Sequence, residues 1–132
     1  MIEPGGTIGI LGGGQLGRMI ALAATALGYR CHVYCPEKDS PAKQATSLST
    51  TAPYEDETAL ARFADSVDVV TFEFENVPAN TAEFLAARKP VRPGPNALRI
   101  AQDRLAEKDF LRSIGVATAP YRAVTSEEEL RR

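Results

Sequence analysis

Thr7-Ile8-Gly9-Ile10-Leu11-Gly12-Gly13-Gly14-Gln15-Leu16-Gly17 decides the fold. Its first five residues form a short apolar run with β-branched side chains, which reads as a buried strand halted by three glycines. Gly12 to Gly17 then fits G-x-G-x-x-G, directly after a strand and opening a helix. Glycines allow a tight turn and let backbone N–H groups approach a ligand, while a helix N-terminus adds roughly half a positive charge. The pattern suits a dinucleotide, another small anionic ligand or a purely structural turn, and alone it does not choose among them.

Downstream, apolar residues recur at Leu16, Met19, Ile20, Ala23, Ala26 and Leu27, one face of a helix that Gly28 stops at the C′ position. Residues 31–35 read as a second strand ended by Pro36, residues 37–45 as loop with a helical turn, and residues 47–51 as a third strand. Asp56 is placed to cap a helix with Leu60, Phe63, Ala64 and Val67 on its inner face, and residues 68–74 form a strongly apolar strand. Asn80 and Glu83 have the spacing of a reciprocal cap. A brief strand at 90–92 follows, then an amphipathic helix opened by Asp103 and ended at Gly115. Strand and helix alternate from the start to about residue 93, and right-handed crossovers between parallel strands place helices on both faces. The expected fold is therefore a Rossmann-like, doubly wound parallel α/β sheet.

Residues 118–124 read as a new strand, and Thr125-Ser126-Glu127-Glu128 as a capping box announcing a helix. A helix of one turn is not stable alone. The expected organisation is a Rossmann-like domain over residues 1–115, with residues 116–132 a linker and the start of a second, truncated domain.

The totals narrow the class. At 132 residues the chain is long enough for one cored domain and short for a complete two-substrate enzyme. A net charge of -2 with scattered basic residues argues against nucleic acid. No apolar run reaches the ~20 residues a bilayer requires, and the first residues do not resemble an export signal. A cytoplasmic domain is the expectation. Cys31 and Cys35 share a strand face at about 13 Å, too far for a disulfide. No second ligand pair accompanies them, so they read as buried free thiols.

Two further features bear on chemistry. A dinucleotide site needs an acid at the end of the second strand to hold ribose hydroxyls. Glu37 and Asp39 lie near that offset, but Tyr34-Cys35-Pro36 stands where the acid is usually presented. In Thr71-Phe72-Glu73-Phe74-Glu75-Asn76, alternation puts Phe72 and Phe74 on one face and Glu73 and Glu75 on the other. Ligands of open parallel sheets bind beyond the carboxyl ends of the strands, where these carboxylates could accept from an amine or ribose, or simply be solvated.

Four runs together resemble one family: Gly12-Gly-Gly-Gln-Leu-Gly-Arg-Met19, Val69-Val-Thr-Phe-Glu-Phe-Glu-Asn-Val77, Arg92-Pro-Gly-Pro95 and Gln102-Asp-Arg-Leu-Ala-Glu-Lys108. They are similar to the N5-carboxyaminoimidazole ribonucleotide synthetases, ATP-grasp ligases of purine biosynthesis, in the domain that precedes the ATP-grasp fold. The resemblance implies a cytoplasmic homodimer that takes ATP, bicarbonate and 5-aminoimidazole ribonucleotide, with Mg²⁺ on the ATP phosphates. It implies ribonucleotide binding by Gln15, Leu16 and Glu73, with Gly14, Glu75 and Asn76 as weaker candidates, and ATP contact by Arg104. It implies no catalytic residue and no metal ligand in this chain, because the ATP-grasp residues are absent; alone the chain should be inactive. A NAD- or FAD-dependent oxidoreductase domain and a non-catalytic nucleotide-sensing module are the alternatives.

Overall fold

The computed structural model describes residues 2–131. Four strands form one parallel sheet in the order β3-β2-β1-β4: β1 (Thr7–Leu11), β2 (Arg30–Cys35), β3 (Leu48–Thr51) and β4 (Val69–Phe72). The helices of this part are α1 (Gln15–Ala26), α2 (Glu57–Asp65), α3 (Ala79–Ala86) and α4 (Pro95–Gln102), with a short 3₁₀ helix at Ala42–Ala45. The chain runs outward from β1 through β2 to β3, then returns past β1 to lay down β4. That reversal beside β1 is the switch point of a doubly wound sheet, so the expected α/β architecture is the observed one.

Alternation along the strands divides the core in two. Ile10, Cys31, Val33 and Cys35 face α1 and the 3₁₀ helix, packing with Ala21, Ala24 and Ala42. Leu11, Tyr34 and Val70 face α2 and α3, packing with Leu60, Phe63, Ala64, Ala82 and Leu85. Gly9 in β1 is required by the second layer: a Cβ there would stand 2.6 Å from the Phe63 ring. Cys31 and Cys35 are buried free thiols on the α1 side.

Several local expectations hold. Asp56 caps α2, accepting from Ala59 N–H at 2.9 Å, and Leu60, Phe63, Ala64 and Val67 are all buried. Gly28, at φ +85°, ends α1 in the left-handed conformation that glycine supplies.

Others need correcting. The apolar face assigned to α1 is mostly not the buried one: Gly17, Ala21 and Ala24 are buried, Ile20 is half-buried, and Leu16, Met19, Ala23, Ala26 and Leu27 are exposed. Asn80 and Glu83 form no reciprocal cap, because α3 starts at Ala79 after Pro78, and Glu83 instead pairs with Arg99. The strand expected over 68–74 stops at Phe72. Residues 90–92 supply one parallel bridge, Val70 to Val91.

The chain divides into two compact units, one ending at Arg99 and the other beginning at Ile100. The second unit carries α5 (Arg104–Ser113), capped by Asp103 through Ala106 N–H at 2.8 Å, and α6 (Glu127–Leu130). Tyr121 packs on α5, with the Arg112 guanidinium 4.3 Å from its ring centre and its hydroxyl donating to Asp109. No strand forms over 118–124, since nothing among the described residues pairs with it. The cap of α6 sits one residue later than the spacing indicated: Ser126 accepts from Glu129 N–H at 3.2 Å, while the Glu129 carboxylate accepts from Thr125 N–H at 2.8 Å.

Candidate functional site

The register of the two central strands builds the site. Leu11 of β1 lies opposite Phe72 of β4, so Gly12 and Glu73 are the next residues on adjacent strands at the carboxyl edge. Glu73 N–H donates to the Leu11 carbonyl at 3.1 Å, which fixes the backbone as the strand ends. Phe72 and Phe74 turn toward the α2 and α3 layer, and alternation turns Glu73 the other way, over the glycine turn.

There its carboxylate performs a capping job. Gly14 is the N-cap of α1 and has no side chain, so the N-cap N–H and the N–H of Gly17, three residues on, are orphans of the helix start. Glu73 accepts both: Oε1 from Gly14 N–H and Oε2 from Gly17 N–H, each at 2.5 Å. A capping box splits those two duties between two side chains of the same helix; one carboxylate from a neighbouring strand discharges both. Its negative charge also lies at the positive end of the α1 dipole.

The glycines fit this carboxylate closely. Gly12 has φ +112°, and a Cβ there would sit 2.4 Å from Glu73 Cγ. At Gly14 a Cβ would come within 2.8 Å of Glu73 Oε1, and at Gly17 within 3.0 Å of the Gly12 carbonyl oxygen. Gly13 answers to a different neighbour, since a Cβ there would meet Cys35 Sγ and Ser40 Oγ at 2.6 Å.

Beside the turn lies an open cleft of about 280 Å³, lined by Gly13, Gly14, Glu37, Asp39, Ser40, Pro41, Tyr54, Glu73 and Phe74. The acids near the end of the second strand, Glu37 and Asp39, thus reach the cleft despite Pro36. Tyr54 enters from the segment after β3. Burial, then the nearby Cys35, Glu37 and Glu73, push its phenol well above the usual tyrosine range, so it stays a neutral hydroxyl. Ser40 and Tyr54 had no signal in the sequence, because each sits in irregular backbone whose course follows only from the strands around it.

The structure brings Gly14 and Glu73 together and puts Gln15 and Leu16 next to them, exposed, in the first turn of α1. Glu75 and Asn76 follow as exposed residues beyond the strand end. Arg104 belongs to the second unit, where it is no lone cation: it pairs with Glu107 one turn along α5. Among the described residues no three His, Cys, Asp or Glu side chains gather as a metal site, and no helix is long and apolar enough to cross a membrane.

Comparison with known proteins gives a consistent pattern. A family model described as the ribonucleotide synthetase preATP-grasp domain matches residues 6–102. The N5-carboxyaminoimidazole ribonucleotide synthase of Brucella melitensis biotype 1 is 50% identical over 129 residues, covering 98% of this chain and 36% of that protein. A crystal structure of an N5-carboxyaminoimidazole ribonucleotide synthetase with ADP superposes with a TM-score of 0.93 at 42% identity, covering 98% of this chain and 34% of that one. The Aspergillus clavatus synthase, solved with ADP and 5-aminoimidazole ribonucleotide, gives a TM-score of 0.86 at 32% identity, covering 97% of this chain and 35% of that one. The chain spans about a third of the length of these relatives.

Proposed function

The chain belongs to the ribonucleotide synthetase pre-ATP-grasp family, and from that membership we propose that it is the front domain of an ATP-dependent carbon–nitrogen ligase. The reaction is the carboxylation of 5-aminoimidazole ribonucleotide by ATP and bicarbonate, giving the N5-carbamate, ADP and phosphate. The observation that carries this reading is the likeness, along nearly the whole chain, to a synthase solved with both ADP and that ribonucleotide. Bicarbonate attacks the γ-phosphorus of ATP and ADP leaves; the resulting carboxyphosphate gives its carboxyl to the exocyclic amine as phosphate departs. In this reading residues 116–132 open the ATP-grasp domain, which supplies the catalytic groups, and the complete protein is a cytoplasmic homodimer.

The part assigned to this chain is to hold the ribonucleotide. Gln15 and Leu16 present donors and an apolar edge at the start of α1, Gly14 holds Glu73 in place through its N–H, and Glu73, backed by Glu75 and Asn76, faces the amine or ribose hydroxyls. A carboxylate with two of its lone pairs on backbone N–H groups keeps others for such donors. Arg104 is assigned to ATP; to reach it, its guanidinium exchanges Glu107 for a phosphate. Mg²⁺ would accompany ATP, but the described residues offer it no fitting cluster, so no step runs through metal held here.

The oxidoreductase alternative is disfavoured by the same geometry, because a dinucleotide pyrophosphate would need N–H groups that Glu73 already occupies. The deciding experiment is steady-state kinetics on the complete gene product. ADP release should require both bicarbonate and 5-aminoimidazole ribonucleotide; ATP turnover indifferent to the ribonucleotide would contradict the assignment.

A further inference from the structure

We propose that Glu73 is the glycine turn's own anion: it fills the phosphate position of the G-x-G-x-x-G turn from within, and so closes the N-terminus of α1 to phosphate ligands. This makes Glu73 a specificity-determining and positioning residue. For a ribonucleotide, which here rests on the functional reading above, the phosphate is bound away from the turn.

Three observations support the inference independently of any ligand. In a nucleotide cradle the turn's N–H groups point at the phosphate oxygens. Here the N–H groups of Gly14 and Gly17 each hold one oxygen of the same carboxylate at 2.5 Å. Next, the space that missing side chains leave for a ligand in such a turn is already occupied. A Cβ at Gly12 or Gly14 would strike Glu73, and one at Gly13 would strike Cys35 and Ser40, so the glycines are explained by protein atoms alone. Finally, among the described residues none that lines the adjoining cleft is basic, whereas Glu37, Asp39 and Glu73 all border it. Carboxylates so placed raise the cost of bringing in a phosphate.

The proposal can be tested on the 132-residue chain with inorganic phosphate and pyrophosphate as probes and sodium chloride of equal ionic strength as control. Thermal midpoints would be measured for wild type, Glu73→Ala and Glu73→Gln, and binding followed by phosphorus NMR line broadening. Wild type should show no saturable phosphate effect. Glu73→Ala should lose about 5–10 °C, the net scale of two ordinary hydrogen bonds in a domain of this size. Pyrophosphate should restore at least half of that loss, saturably, at millimolar concentration. Glu73→Gln should also lose stability but gain nothing from pyrophosphate, because its amide still fills the space.

Rescue by anion separates a filled anion site from a side chain that merely packs. The proposal is overturned if wild type binds pyrophosphate as well as Glu73→Ala does, or if Glu73→Ala keeps its midpoint. It is equally overturned if Glu73→Ala stays unfolded or unrescued at every pyrophosphate concentration. None of these measurements involves ATP, bicarbonate or turnover. A failure here therefore leaves the ligase assignment standing, and a failure of the kinetics leaves this one standing.

Discussion

Helices α1 and α2 lie on opposite faces of the same sheet and are held by different forces. α2 inserts Leu60 and Phe63, both essentially fully buried, into a layer of large apolar side chains. α1 buries only Gly17, Ala21 and Ala24, and leaves Leu16, Met19 and Leu27 57%, 63% and 70% exposed. Fully burying a large apolar side chain contributes about 1.5–3 kcal/mol, and alanine far less. What α1 lacks in bulk it recovers through closeness: its small residues let it approach the strands, and the Glu73 carboxylate caps its first turn. The helix that follows the glycine turn is positioned by polar contacts and close approach, while the helix on the far face supplies the hydrophobic anchor.

This contrast predicts a graded series of effects. The largest should come from Phe63→Ala, which removes the ring packed against His32 and Tyr34. It should lower unfolding stability by about 3–5 kcal/mol in urea titrations. On α1 the damaging change is enlargement rather than truncation. Ala21→Leu, at a fully buried position, should cost about 1–3 kcal/mol through overpacking; a neutral or stabilising result would show that α1 has room that close packing denies it.

A smaller, pH-dependent effect belongs to the α2 side. His32 is held between Ser66 Oγ at 2.8 Å and Thr50 Oγ1 at 2.9 Å, and burial lowers its pKa below the ordinary 6.5. The neutral ring is therefore favoured in the folded protein, and the unfolded chain takes up the proton more readily. The stability this gives is present above pH 6.5 and is lost as pH falls through the lowered folded value. Denaturation midpoints between pH 7.5 and 4.5 should fall more steeply for wild type than for His32→Asn. The least effect is expected for Met19→Ala or Leu27→Ala, whose side chains are mostly in solvent. Each should change the stability of this chain by no more than about 0.5 kcal/mol, and a loss above about 2 kcal/mol would mean α1 has a hydrophobic anchor after all.

The same contrast explains what could be read in the sequence. The strand before the glycines, the Asp56 cap and the inner face of α2 were legible because local chemistry and hydrophobic size point the same way there. On α1 they diverge. Periodicity weights Leu16, Met19 and Leu27 by size, whereas contact with the sheet selects Gly17, Ala21 and Ala24 for lack of it. Helix α4 escaped notice because it begins with Pro95 and Asn96 and buries only Leu98, too sparse a pattern to stand out. The strand read over 118–124 has the right composition, but a strand exists only through a neighbour to pair with. In the site, the direction of Glu73 followed from alternation and the switch-point rule. Its grip on Gly14 and Gly17 did not, because a glycine motif reads the same whether its N–H groups meet a ligand or the protein's own side chain.

That grip is measured most directly by hydrogen exchange at the amides of Gly14 and Gly17, followed by NMR in wild type and in Glu73→Ala. Both amides should exchange slowly in the wild-type chain and at least ~10-fold faster in the variant, the equivalent of about 1.4 kcal/mol of lost protection, while Leu60 in α2 keeps its rate. If Gly14 and Gly17 exchange in wild type as fast as unprotected glycines, or if the variant leaves them unchanged, Glu73 does not hold the turn.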